Sequence, residues 1–144
     1  MVHLFERFLA YGALGWCLEV LFTGLSAVLF RHDRSATGQT YLWMLPIYGG
    51  AGLLLEAMHH ALLGTGAGLV LRILAYVIVI YSVEAASGHA LRRLLGRCPW
   101  DYGDARFGIR GLVRLDYAPF WALVGLLFEP VQAVLAALPR LPTT

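Results

Sequence analysis

Cys98-Pro99-Trp100-Asp101-Tyr102-Gly103-Asp104 is a polar and aromatic knot in a chain that is apolar almost everywhere else. The runs on either side of it read as membrane-spanning helix, so this stretch decides how the rest of the chain is divided. Of the 144 residues, 59% are hydrophobic and 14% are charged. Mean hydropathy is +0.68, outside the range of a soluble domain. All eleven basic residues are Arg, which suggests a GC-rich genome. A net charge of +2 is too small, and too tied to one side of the membrane, to argue for nucleic acid, and no nucleic-acid partner is expected. The two cysteines, Cys17 in an apolar run and Cys98 in the knot, form neither a disulfide framework nor a zinc pattern.

Working outward, four segments are long enough to cross a hydrocarbon core, which takes roughly 20 apolar residues per helix. They cover residues 4–30, 41–63, 69–91 and 117–138 of a single transmembrane domain, 1–144. The first run continues from Phe8 to Phe30 without a small-residue cleavage site, so it reads as a retained span and not a signal peptide. The connection Gly64-Thr65-Gly66-Ala67-Gly68 is short enough to force an antiparallel hairpin between the second and third spans.

The arginines orient these spans. Arg31 and Arg34, with Arg92, Arg93, Arg97, Arg106, Arg110 and Arg114, fall on one face, against Arg7, Arg72 and Arg140 on the other. The positive-inside rule puts loops 31–40 and 92–116 in the cytoplasm and both termini outside, in a bacterial cytoplasmic membrane.

Each span carries one deep or fairly deep glutamate: Glu19, Glu56, Glu84 and Glu129. A charge near the bilayer centre costs at least ~2.5 kcal/mol, so these groups should face one another, a cavity or a partner subunit. Gly52-Leu53-Leu54-Leu55-Glu56 is echoed by Gly125-Leu126-Leu127-Phe128-Glu129. The odd-numbered spans share a Tyr upstream of the Glu and basic residues downstream. A parallel repeat relating spans one and two to spans three and four would explain this; so would chance likeness of Leu-rich helices. Gly12, Gly15 and Glu19 share a helix face, as do Gly49, Gly52 and Glu56, and small faces are where membrane helices approach closely. The same surfaces leave a homodimer or a partner membrane subunit open. By the ~1.5 Å rise per residue, Glu19 and Glu84 fall on the cytoplasmic side of centre, and Glu56 and Glu129 on the outer side.

No metal or cofactor is expected. His59 or His60 and His89 lie more than ~20 Å apart in depth, too far for one haem, and no H-E-x-x-H, Walker loop, G-x-S-x-G or dinucleotide fingerprint occurs. His89 enters only as a secondary candidate beside the basic loop. In the loop, Trp100 and Tyr102 read either as interfacial anchors or as part of a partly re-entrant segment with Asp101 aimed into the bundle.

Gly15-Trp16 with Glu19, Pro46-Ile47-Tyr48-Gly49, Glu84, and Cys98-Pro99-Trp100-Asp101-Tyr102 followed by Gly111 and Leu115 resemble the small membrane proteins described as CmpB-like, or putative ABC transporter type IV, and their animal relatives, the transmembrane protein 229 group. The resemblance covers nearly the whole chain. It departs at Gly108, where the family often has Asn, and at Thr37-Gly38, where Arg-Gly is expected. It implies a membrane protein whose transporter label is itself an analogy.

The expected fold is therefore an all-α integral membrane protein of four transmembrane helices. The leading expected function is a transporter- or permease-like component that binds a small cationic or polar solute, or a proton. Glu19, Glu84 and Asp101 would form its acidic site, lined by Trp100, Tyr102 and Tyr48, with Glu56, Glu129, Arg110 and His89 as secondary candidates. Alternatives are an enzyme acting on a lipid headgroup, with arginines holding phosphate, and a non-catalytic accessory subunit. Membrane lipids are the expected surroundings.

Overall fold

A computed structural model describes residues 4–103 and 105–138. Asp104 of the knot and Arg140 of the outer arginine set lie outside the described residues. The described chain is predominantly helical: α1 (Leu4–Arg31), α2 (Met44–Gly64), α3 (Leu69–Leu95) and α4 (Ala118–Ala137). A small hairpin, β1 (Gly108–Ile109) and β2 (Val113–Arg114), and a short 3-10 turn at Leu115–Tyr117 precede α4.

Three stretches, Leu4–Arg31, Leu69–Leu95 and Leu115–Ala137, are long and apolar enough to cross a membrane. Only 11%, 11% and 17% of their apolar windows are buried in the protein. Apolar surface on that scale left uncovered points to a membrane location. α2, 21 residues long, carries Pro46, Tyr48, Glu56, His59 and His60 and is not among these three stretches.

The described chain divides into two compact units, one up to residue 53 and one from residue 54 on, with the division falling inside α2. In the first unit, α1 and the start of α2 meet through glycines. A Cβ on Gly12 would stand 2.8 Å from the Leu45 carbonyl oxygen, and one on Gly15 or Gly52 would overlap the ring of Tyr48 or Tyr11. The small-residue faces expected to carry close helix contacts are thus occupied within the chain. α1 ends where His32 takes a left-handed conformation (φ 54°) and the Asp33 amide donates to the Ala27 carbonyl, six residues back, at 3.0 Å. From there the chain retraces α1. Gly38 lies against Val20, the Thr23 hydroxyl bonds the Gln39 backbone, and Trp16 Nε1 donates to the Tyr41 carbonyl at 2.9 Å. This return accompanies the start of α2 at Met44 and not at 41: the backbones of Gln39 and Tyr41 bond α1 side chains instead of entering a helix.

In the second unit, the turn at 64–68 forms as expected. The Gly66 and Ala67 amides donate back to Leu63 and Leu62, and Gly66 takes the left-handed φ of 72° that a tight reversal needs. His59 and Tyr76 face each other across the hairpin. α3 packs on α4, where Gly125 admits the ring of Tyr76 and the Phe128 ring meets it edge-on at 6.1 Å between centroids. Gly96 (φ 74°) ends α3. The knot then folds back onto α3: Gly88 makes room for Trp100, Leu112 and Cys98, and Trp100 Nε1 donates to the Leu112 carbonyl at 3.1 Å. The hairpin is pinned by the Tyr81 hydroxyl, which donates to the carbonyls of Arg114 and Leu115 at 3.2 and 3.0 Å.

Candidate functional site

The helix periodicity of α3 sets Tyr81, Glu84 and Gly88 along the side that receives the knot. Glu84 is half-buried and takes the Tyr102 hydroxyl as its hydrogen-bond partner. One of its oxygens, Oε2, is fully buried without a partner among the described residues. A carboxylate oxygen held dry and unbonded is costly, so this is where a proton or a ligand donor gains most. Trp100 lies one turn along, its indole against Gly88.

Asp101, expected beside Glu84, does not bond it. Its Oδ1 accepts the Gly103 amide at 2.9 Å, and the same oxygen closes on Gly111. Asp101 therefore shapes the loop, and its side chain is exposed. Arg110 stands at the hairpin turn in a left-handed conformation, φ 54°, with Gly111 following at φ 70°. His89 is exposed on α3.

Glu19 belongs to the first unit. The returning segment delivers the Thr40 hydroxyl to Glu19 Oε2 at 2.5 Å, and α2 delivers the Tyr48 hydroxyl to the same carboxylate. Two of the expected site residues, Glu19 and Tyr48, are thus in contact, as are Glu84 and Tyr102.

A second constellation in residues 54–144 centres on Tyr76, which is fully buried. Its hydroxyl donates to Glu129 Oε1 at 3.0 Å and accepts from His59 Nδ1 at 2.7 Å. Arg72 grips the same carboxylate with two donors, Nε to Oε1 at 2.8 Å and Nη2 to Oε2 at 3.1 Å, while its Nη1 donates to the Ala67 carbonyl at 2.9 Å. Next to His59 in the chain, His60 Nε2 receives the Gln132 amide at 3.2 Å and stands 3.7 Å from Glu56 Oε1. Glu56 and Gln132 are both buried. Every strong acceptor in this set that faces Arg72 or Tyr76 is matched, which is the arrangement of a structural polar lock between helices.

The Cys98 thiol, between α3 and the knot, is pushed above its ordinary pKa, chiefly by burial. Among the described residues, no group of three or more His, Cys, Asp or Glu side chains is arranged to hold a metal ion.

A family model described as "Putative ABC-transporter type IV" matches residues 7–141. The chain belongs to this family. The match to the type IV ABC-transporter family takes in both Glu–Tyr pairs, the knot and the Tyr76 lock. No solved structure matches the chain.

Within this member of the type IV family, sequence reasoning missed Arg72, Tyr76, His59 and Gln132. In the sequence Arg72 bears only on topology, and His59 only on the question of a haem. The available signal was the i, i+4 spacing of Arg72 and Tyr76, which puts a guanidinium and a phenol on one helix face inside an apolar span.

Proposed function

We propose that this chain is a transporter-like membrane component in which Glu84, held by Tyr102 and walled by Trp100, binds a small cationic or polar solute or a proton. The observation that carries the reading is the buried Glu84 Oε2 with no hydrogen-bond partner, set in one of the most apolar helices of the chain. In a low-dielectric site, an unbonded carboxylate oxygen attracts a cation or a donor far more strongly than it would in water. The family description supports the transport part of the reading.

The reading takes all four helices across the membrane, with loops 31–40 and 92–116 cytoplasmic as the arginines direct. It also takes the chain as two parallel repeats. Arg7, Tyr11 and Glu19 in α1 stand at the same spacings as Arg72, Tyr76 and Glu84 in α3. Tyr11 lies on Gly52 and Tyr76 on Gly125, each glycine four residues before the glutamate of the following helix. Glu19 receives a tyrosine hydroxyl from Tyr48 and Glu84 one from Tyr102. Glu19 with Tyr48 is then the counterpart of the Glu84 site.

Proteoliposomes containing the wild-type chain, Glu84→Gln or Tyr102→Phe test this, with entrapped pH dye, sodium-22 and labelled choline as probes. Uptake of one probe by wild type, its loss in Glu84→Gln and its reduction in Tyr102→Phe at unchanged helicity are the expected results. A Glu84→Gln protein that transports like wild type would remove the basis of the proposal.

A further inference from the structure

The end of α3 and the hairpin that follows the knot border an open cleft of about 590 Å³, lined by Arg92, Arg97 and Arg110, with Asp101 as the one acidic group among the described lining residues. The size is that of a small-molecule site. The three guanidinium groups are employed very differently. Arg92 is half-buried, and its Nη1 donates to the Arg110 carbonyl at 3.1 Å, so it ties α3 to the hairpin turn. Arg97 and Arg110 are exposed, and neither has a hydrogen bond or ion pair through its guanidinium among the described residues. Asp101 makes no ion pair with them among the described residues, and its Oδ1 accepts the Gly103 amide.

The backbone gives a second, independent reason to single out Arg110. It occupies the first position of the three-residue turn between Ile109 and Val113, with φ at 54°. That conformation suits Gly or Asn and disfavours a residue with a long side chain. Gly111 next to it makes the turn possible, yet the residue whose side chain projects from the strained position is an arginine. Strain of this kind, where an easier residue would serve the fold, marks a position held for what its side chain does.

We propose that this cleft binds a phosphate group, with the free guanidinium groups of Arg97 and Arg110 as its donors and Arg92 holding the turn in place. Guanidinium is matched to a tetrahedral oxyanion because its planar fork presents paired N–H donors. Charge favours an anion: among the described lining residues, three arginines stand against one aspartate, a net +2. The phosphate comes either from an anionic lipid headgroup or from a free phosphate compound. The proposal does not rest on the Glu84 reading, and neither residue of that pair lines the cleft.

The test uses the full chain purified in detergent. Two probes are titrated: nanodiscs of phosphatidylglycerol in phosphatidylcholine against phosphatidylcholine alone, and inorganic phosphate or pyrophosphate in solution. Wild type is compared with Arg97→Gln/Arg110→Gln, with Arg110→Gly, and with Arg93→Gln, whose arginine lies on α3 but does not line the cleft. The double variant is expected to lose tenfold or more in affinity, the loss of charge-assisted bonds, and Arg93→Gln less than twofold. Arg110→Gly is expected to bind severalfold more weakly while melting at or above the wild-type temperature, because it removes the strain and the donor together. Binding of phosphatidylglycerol without phosphate assigns the site to lipid, and binding of the soluble ions assigns it to a free phosphate compound; both support a phosphate site. Equal losses in Arg93→Gln and the double variant would mean diffuse charge attraction and overturn it. So would failure of wild type to bind either probe more tightly than the double variant.

Discussion

Replacing Tyr76 by Phe removes one oxygen from the centre of the polar lock and leaves the packing of its ring unchanged. The hydroxyl makes two bonds, to Glu129 at 3.0 Å and with His59 at 2.7 Å, and the residue is fully buried. Interhelical hydrogen bonds inside membranes average about 0.6 kcal/mol in double-mutant cycles and reach about 1.7. Two such bonds give an expected destabilisation of about 1–3 kcal/mol. The ring term does not enter, whereas Tyr76→Ala would add the larger cost of emptying the space against Gly125 and Phe128. The assay is reversible unfolding in mixed detergent and SDS micelles, followed by far-UV circular dichroism. Tyr76→Phe, His59→Leu and the double variant complete a cycle, with a coupling of about 0.6–1.7 kcal/mol expected between the two. A Tyr76→Phe protein within about 0.3 kcal/mol of wild type, or strict additivity in the cycle, would refute the view that the hydroxyl joins the three helices.

In the same unfolding assay, Gly15→Ala should cost about 1–3 kcal/mol, because its Cβ overlaps the Tyr48 ring, while Gly50→Ala, which has open space, should change stability by less than about 0.5. The Asp33 carboxylate is held below the usual range, first by the Thr37 hydroxyl and then by the Ser35 amide. Its lowered pKa means that the turn after α1 is fully supported above the unfolded value of ~3.9 and loses that support as pH falls through the folded value. The Ser35 amide resonance should report this titration, and Asp33→Asn should abolish it. Cys98, raised by burial, should react with N-ethylmaleimide more slowly than a free thiol at pH 7.5, the gap narrowing as pH rises; a rate equal to that of glutathione would contradict the buried placement.

Apolar run length made the helices legible in advance. α3 begins at Leu69 and α4 at Ala118, within a residue of the boundaries expected from hydropathy and the Gly-rich turn. The return of residues 37–43 along α1 was not legible, because an extended segment that bonds a helix through Thr23, Trp16 and Thr40 has no periodicity of its own. For the site, the pairing of Glu84 with the knot followed from depth and helix face, and the partner proved to be Tyr102. The expected Asp101 contact failed for a local reason: Asp followed two residues later by Gly satisfies its own loop first. The Tyr76 lock was hidden because its members are dispersed over three helices, and depth alone cannot say which residues on different helices meet.

Dicyclohexylcarbodiimide, which modifies carboxyl groups inside membranes, offers the most direct measurement of the Glu84 proposal, applied to transporting proteoliposomes with the labelled residue mapped by mass spectrometry. The account predicts a single label at Glu84, since its Oε2 is buried and unbonded, with uptake of the transported probe lost in proportion. Glu129, gripped by Arg72 and Tyr76, should remain unlabelled. Complete labelling of Glu84 with uptake unchanged, or labelling of Glu129 in its place, would contradict it.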